Sequence, residues 1–326
     1  MIGLLQDSWD GANGWIFETL VQPALYALGL MAWAEDAFEW IDFVLFGLVQ
    51  VLVVYAICRP LEAWKPVEPR SDQRSIRTDI LYTCLSRLGL LPLLAFVAFA
   101  ALGSRLSGWV AGSGWVPPTL ETLFPLLREW PILALAVYVA VLDLGEYWRH
   151  RFQHRFSWWW SLHAIHHAQR QMTFWTDDRN HILDDLIGAA WFCAIALLIG
   201  VPPAQFPVVV VILRVAEAMS HANVRLSFGR VGERLLVSPR FHRLHHGPLG
   251  SGRDGKNYGV LLPVWDWVFG TADFRHDVFT ETGDARLPEA MATGSWGQQQ
   301  AEGFRRMGRA LAKGFRKRAA RRRRTA

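Results

Sequence analysis

A chain of 326 residues is long enough to bury a sizeable core as one large domain or two, and length alone decides between neither. Hydrophobic residues make up 52% of it, with seventeen tryptophans, a composition suited to a chain solvated partly by lipid. Its three cysteines, Cys58, Cys84 and Cys193, are far apart in apolar runs with no CxxC spacing, which excludes a cysteine-held zinc, redox or iron–sulfur centre. The net charge of +5 is uneven: residues 303–326 hold eleven of the 34 Lys and Arg and no Asp or Glu, leaving 23 basic against 29 acidic residues elsewhere.

The first apolar segment, residues 15–34, contains Glu18 and Pro23 and fits a span, an interfacial helix or a re-entrant piece alike. It lacks the basic start of a cleaved signal peptide. Residues 38–58 read as a transmembrane helix, about the length that crosses a hydrocarbon core of roughly 30 Å. Residues 80–102 read as a second span. A third begins at 130–144 and runs into the charged sequence 146–151, so it is expected to project beyond the membrane. Residues 186–199 and 206–215 flank Pro202 and Pro203 and read as a membrane hairpin near 186–215 that does not cross fully. The division expected is a membrane region over 1–129, a catalytic domain over 130–275, a linker over 276–302 and a basic tail over 303–326.

Orientation follows from the basic residues. Arg59, Lys65, Arg70, Arg74 and Arg77 crowd the loop after the first span, against Arg105 and Arg128 in the next, so the first loop is expected in the cytoplasm. The third span then returns to that face, together with everything after Arg149 except the hairpin. The fold class expected is all-α: an integral membrane, multi-pass helical bundle with a cytoplasmic, histidine-rich cap for two metal ions, in a bacterial inner membrane or an ER-type membrane.

Ten of the eleven histidines lie between His150 and His246. Three clusters hold eight of them: HRFQH (His150, His154), HAIHH (His163, His166, His167) and HRLHH (His242, His245, His246). On a helix, positions three or four apart share a face, so such pairs can meet one ion. Adjacent histidines diverge by about 100°, which lets one triplet serve two neighbouring ions. His181 and His221, beside the hairpin, extend the set to ten; His276 is assigned no role. A single HxxxH pair is commonly a solvated face, but three clusters together would repel when protonated and waste buried hydrogen bonds when not. Imidazole suits zinc, copper, iron and nickel, and ten ligands exceed one closed zinc site.

With Asp143, Tyr147 and Trp148 before the first box, Trp160 before the second, and NYGV and WDWVFGT (265–271) after the third, residues 140–272 resemble the fatty acid hydroxylase and sterol desaturase superfamily of membrane oxygenases. The resemblance implies a di-iron centre held by His150, His154, His163, His166, His167, His242, His245 and His246, with His181 and His221 carried over as well. It departs from the family at Ile182, where the pattern has proline. It further implies dioxygen as co-substrate, an external electron donor (a ferredoxin, or a cytochrome with its reductase), and hydroxylation or desaturation of a lipid. Fatty acyl chains, sterols, alkylglycerols, aminolipids and carotenoids remain open, with hydroxylation preferred.

Metal-bound imidazoles commonly donate their second nitrogen to a carboxylate, and Asp143 and Asp184 are the preferred candidates. GSGRDG at 250–255 satisfies GxGxxG, but it lacks the strand and helix of a nucleotide fold and reads as a loop. The tail places Phe304, Met307, Leu311 and Phe315 at helical spacing among basic residues, as in a helix lying on anionic lipid; no nucleic-acid partner is expected on a membrane-tethered chain. The rivals are a membrane metal carrier, which would place its ligands within the spans, and a catalytically silent lipid-binding relative.

Overall fold

The computed structural model describes residues 2–91, 93, 105, 108, 109, 112–114, 118–201, 206–248, 255–275 and 278–325. All regular elements among them are helical. In chain order they are α1 (Ile2–Ile16), α2 (Gln22–Ala27), α3 (Ala34–Trp64), α4 (Gln73–Arg87), α5 (Leu120–Leu123), α6 (Pro131–Arg155), α7 (Ser157–His163), α8 (Ile182–Leu198), α9 (Phe206–His221), α10 (Gly229–Leu235), α11 (Pro239–His246), α12 (Val264–Val268), α13 (Glu289–Ala292) and α14 (Trp296–Thr325).

Two described helical stretches, Met31–Trp64 and Pro131–Arg155, are long and apolar enough to cross a membrane. The first keeps Leu48, Val49, Leu52, Val53, Tyr55 and Ile57 exposed, an apolar surface that water does not favour and lipid does. Segment 15–34 is broken: a π-helical turn at Phe17–Val21 precedes α2, and a separate 3₁₀ turn at Met31–Trp33 enters α3. Of the expected second span, 80–102, residues 80–91 and 93 are described and the rest lies outside the described residues. Its first residues lie within α4, a helix capped by Asp72, anchored by polar contacts of Asp79 and Arg87, and ending at Arg87.

α6 begins at Pro131, is free of charge up to Asp143, and at 25 residues runs about 37 Å, longer than the hydrocarbon core. Tyr138, Val139 and Leu142 pack with Ala196 of α8 and with Val209 and Leu213 of α9. The excess length of α6 carries Tyr147, His150 and His154, one helical face, into a buried polar layer. α8, at 17 residues, spans about 26 Å, short of that core, and the turn at Pro202 and Pro203 lies outside the described residues. So do His276 and most of the GxGxxG segment. Residues 276–302, expected as a linker, contain α13 and the start of α14. Gln300 of α14 accepts from Ile182 N (2.9 Å) and donates to Asn180 O (3.1 Å), so the chain's C-terminal helix is tied to the start of α8.

Candidate metal centre

Five elements deliver the histidines. α6 presents His150 and His154, α7 ends on His163, the 3₁₀ turn His166–Ala168 follows directly, α9 ends on His221, and α11 carries His242, His245 and His246. α11 is only eight residues long and wholly buried, so tertiary contacts must hold it. Ser238 caps it by accepting from Phe241 N (3.1 Å), and the buried pair Arg240 and Glu233 fixes its first turn to α10.

The rings gather into two groups that touch. His150, His154, His163, His167 and His245 form one and His166, His221, His242 and His246 the other, with the candidate ligand atoms in each lying within 4.8 Å of one another. Adjacent histidines part as their helical angle requires: His166 and His167 fall in different groups, and so do His245 and His246. The groups meet where the His167 and His246 rings stack at 4.5 Å.

Backbone carbonyls fix the tautomers. His150 Nδ1 faces Tyr258 O (2.9 Å), His221 Nδ1 faces Glu217 O (2.7 Å) and His245 Nδ1 faces Lys256 O (2.7 Å). A carbonyl only accepts, so each Nδ1 carries the proton and each neutral ring turns a bare Nε2 lone pair inward. Four inward Nε2 pairs stand 3.0–3.2 Å apart: His221 with His166, His242 with His221, His246 with His242, and His245 with His167. Nε2 of His150 and of His163 is buried without a hydrogen-bond partner. Burial, and then the neighbouring imidazoles, pushes His163, His166, His167, His242 and His246 well below the usual histidine range; burial also lowers His221 to about 4 and His245 to about 3. At neutral pH these are lone-pair donors, the form a metal needs.

The donor set fits metal ions. Metal–nitrogen bonds of about 2.1 Å place cis ligand atoms about 3.0 Å apart and trans ones about 4.2 Å apart; the four inward pairs stand at the cis spacing, and all candidate atoms of each group lie within 4.8 Å. An all-imidazole set suits first-row transition metals.

Residues 135–271 match the fatty acid hydroxylase family. The chain is 32% identical over 130 residues to alkylglycerol monooxygenase of Danio rerio, covering 40% of this chain and 28% of that protein. It is 30% identical over 155 residues to alkylglycerol monooxygenase of Homo sapiens (48% and 34%), and 26% identical over 164 residues to a fatty acid hydroxylase of Lecanicillium sp (44% of each). Residues 135–271 are a fatty acid hydroxylase domain of the fatty acid hydroxylase and sterol desaturase superfamily. The matched stretch spans about a third or less of the length of the alkylglycerol monooxygenases. No solved structure matches.

Within the hydroxylase domain, His181 stands apart from the other nine expected histidines. It caps α8: its Nδ1 accepts from Leu183 N (3.1 Å), its Nε2 faces Gln300 O (3.1 Å), and its ring meets Phe304 at 4.3 Å. Both nitrogens are thus engaged away from the cage. A Cβ on Gly303 would come within 2.4 Å of this ring, so glycine permits the approach.

The two expected carboxylates have different positions. Asp184 accepts from Gln153 and from Trp159 Nε1 (2.6 Å) and lies 3.4 Å from His163 Nδ1, beside the cage. Asp143 touches no cage histidine; it accepts from Leu261 N (2.8 Å), Leu262 N (3.0 Å) and Trp265 Nε1 (2.9 Å). With Asp266, which accepts from Tyr258 N (2.8 Å) and Gly259 N (2.7 Å), it sets the loop whose carbonyls orient His150 and His245. Gly259 admits Asp266, whose Oδ2 would stand 2.9 Å from an added Cβ. Sequence reasoning missed Asp177, 3.5 Å from His221 Nδ1 and paired with Arg214 at 2.7 Å. The NYGV and WDWVFGT runs signalled this loop's place in the family pattern, but nothing in them signalled its carbonyl contacts.

Proposed function

We propose that this chain is a membrane-embedded di-iron oxygenase that hydroxylates a carbon–hydrogen bond of a lipid. The observation that carries it is the inward set of Nε2 lone pairs, three of them fixed by backbone carbonyls, in two touching groups within a hydroxylase domain. The group of five imidazoles exceeds the four ligands of a closed structural zinc site, and the group of four would leave positions open on an ion of higher coordination. The nine histidines are the proposed ligands, and His181 is proposed as a helix cap.

Bound iron would supply the reduction of dioxygen and the removal of hydrogen from the substrate carbon. The balance is dioxygen, R–H, two electrons and two protons giving R–OH and water. The chain's part is to keep the imidazoles neutral, hold their tautomers and enclose the cage in buried protein. Asp184 steadies the His163 ring from behind, and Glu217 O holds the proton side of His221 away from the ions.

The two long apolar helices, and the basic residues after the first, support a multi-pass chain with the cage on the cytoplasmic side. The alkylglycerol monooxygenase relatives rank ether lipids first among substrates to try, ahead of fatty acyl chains and sterols. The test compares lipid extracts, by mass spectrometry, from cells expressing the native chain or its His166→Ala and His245→Ala variants. The expected result is a lipid that gains one oxygen with the native chain only. An equal gain with the variants, or none under aerobic expression with iron and a reductant system, contradicts the reading.

A further inference from the structure

The C-terminal helix leaves the body beside the starts of two segments expected to enter the membrane. The Tyr82 hydroxyl of α4 donates to Gln299 Oε1 (2.9 Å) and accepts from Gln300 Nε2 (3.1 Å). Gln300 also holds Ile182 N at the start of α8, and the Phe304 ring stands against His181. The apolar run of α8 begins at Leu186, five residues or about 7.5 Å past His181.

From Phe304 onward α14 carries an apolar stripe that nothing described covers. Phe304, Leu311 and Phe315 are exposed, Phe315 at 69%, and at about 100° per residue they fall on an arc of about 40°. The exposed Arg305, Arg309, Lys313 and Arg316 lie about 100–180° round from Phe304. Water supports such a helix poorly. Arg305, Arg309 and Lys313 adjoin at four-residue steps, where like charges repel, and Gly308 and Gly314 sit inside the helix, where glycine is unfavourable. Residues 303–326 hold eleven Lys and Arg and no Asp or Glu, and the ion pair of Arg305 with Glu302 lies at the start of this stretch.

We propose that α14, from Phe304 onward, docks on anionic phospholipid of the bilayer in which α3 and α6 are embedded. Phe304, Leu311 and Phe315 enter the acyl boundary, and Arg309, Lys313 and Arg316 are drawn by the phosphates. The phosphates offset the repulsion between neighbouring cations, and the boundary accepts the stripe. A second copy of the chain would instead bring another all-basic helix to the same face and add to the repulsion. The inference rests on the membrane reading of α3 and α6 and is independent of the oxygenase chemistry.

The test uses the full chain, one per disc, in nanodiscs of phosphatidylcholine alone or mixed with phosphatidylglycerol. A Gly308→Cys variant, in a background lacking Cys58, Cys84 and Cys193, carries an environment-sensitive fluorophore; an added Cβ at Gly308 meets nothing within 4 Å. With phosphatidylglycerol, the emission is expected to shift to the blue and quenching by a shallow spin-labelled lipid to rise about threefold or more, a difference that fades in high salt. Amide exchange over 304–316 in the native chain, expected to slow about tenfold with phosphatidylglycerol, is the second reading and serves if the cysteine-free background does not fold. The triple variant Arg309→Gln, Lys313→Gln, Arg316→Gln is expected to abolish the difference between the two lipids, and Leu311→Ser with Phe315→Ser to remove the quenching. Equal signals in both lipids, or signals that neither variant alters, overturn the proposal. So does a response that needs two chains per disc, which would mark a contact between copies. A chain that does not enter discs at all defeats the membrane reading and the proposal with it, whereas one that enters with residues 304–316 indifferent to lipid charge defeats the proposal alone.

Discussion

A histidine proposed as a metal ligand and one that caps a helix differ here by which nitrogen meets which backbone group. His245 offers Nδ1–H to a carbonyl and turns Nε2 inward, whereas His181 spends Nδ1 on Leu183 N and Nε2 on Gln300 O. The His181→Asn variant is accordingly expected to keep its metal while His245→Ala loses it, as metal analysis of the purified proteins will read. Asp143→Asn leaves one of three donors facing an amide N–H, at a cost of about 1–3 kcal/mol of stability. It should also weaken metal affinity by about 10–100-fold through the loosened loop, measurable by thermal unfolding and chelator competition. The buried histidines set the response to acid. The unfolded value is about 6.5 and the folded values lie below it, so under pH 6.5 the unfolded chain binds more protons and stability falls as pH falls. The loss grows to about pH 4 for His221 and about pH 3 for His245, and at pH 7 the full stability is present. A pH series of unfolding temperatures, with metal release followed in parallel, checks this sign.

At the scale of elements, the cage depends on a helix that cannot stand alone. α11 places three histidines in eight buried residues, and the enclosed Arg240 and Glu233 pair moors it. Removing one charge of such a pair strands the other, so Glu233→Gln is expected to cost about 3–5 kcal/mol and to empty both histidine groups at once, as calorimetry and metal content will show. Spacing along the sequence revealed the sharing of faces by His150 with His154 and the divergence of His166 from His167, because helical geometry is local. The long-range contacts had no such signature. Asp143 bonds to a residue 118 positions away, and from the sequence it looked like an imidazole partner; His181 looked like a ligand because its other contacts come from α14. The excess length of α6 was legible as charge following an apolar run, while the broken path of residues 15–34 was not, since composition alone does not locate a π turn.

For the molecule as a whole, α3 and α6 supply the apolar lengths, and the polar layer at the end of α6 gathers segments from most of the hydroxylase domain. Single cysteines placed at Arg70, Arg155 and Arg316 in a background lacking Cys58, Cys84 and Cys193 are expected to react with an impermeant thiol reagent from the cytoplasmic side only, as the basic residues dictate. The central claim is that the two histidine groups hold a pair of ions. Its most direct test is the metal content of the full chain purified in mild detergent after growth with iron, beside the double variant His166→Ala, His245→Ala, which removes one ring from each group. The account predicts about two iron ions per native chain, from five and four imidazoles at the coordination numbers such ions take, and a loss of both in the variant. A native chain that retains less than one ion, or a variant that retains the native complement, would contradict it.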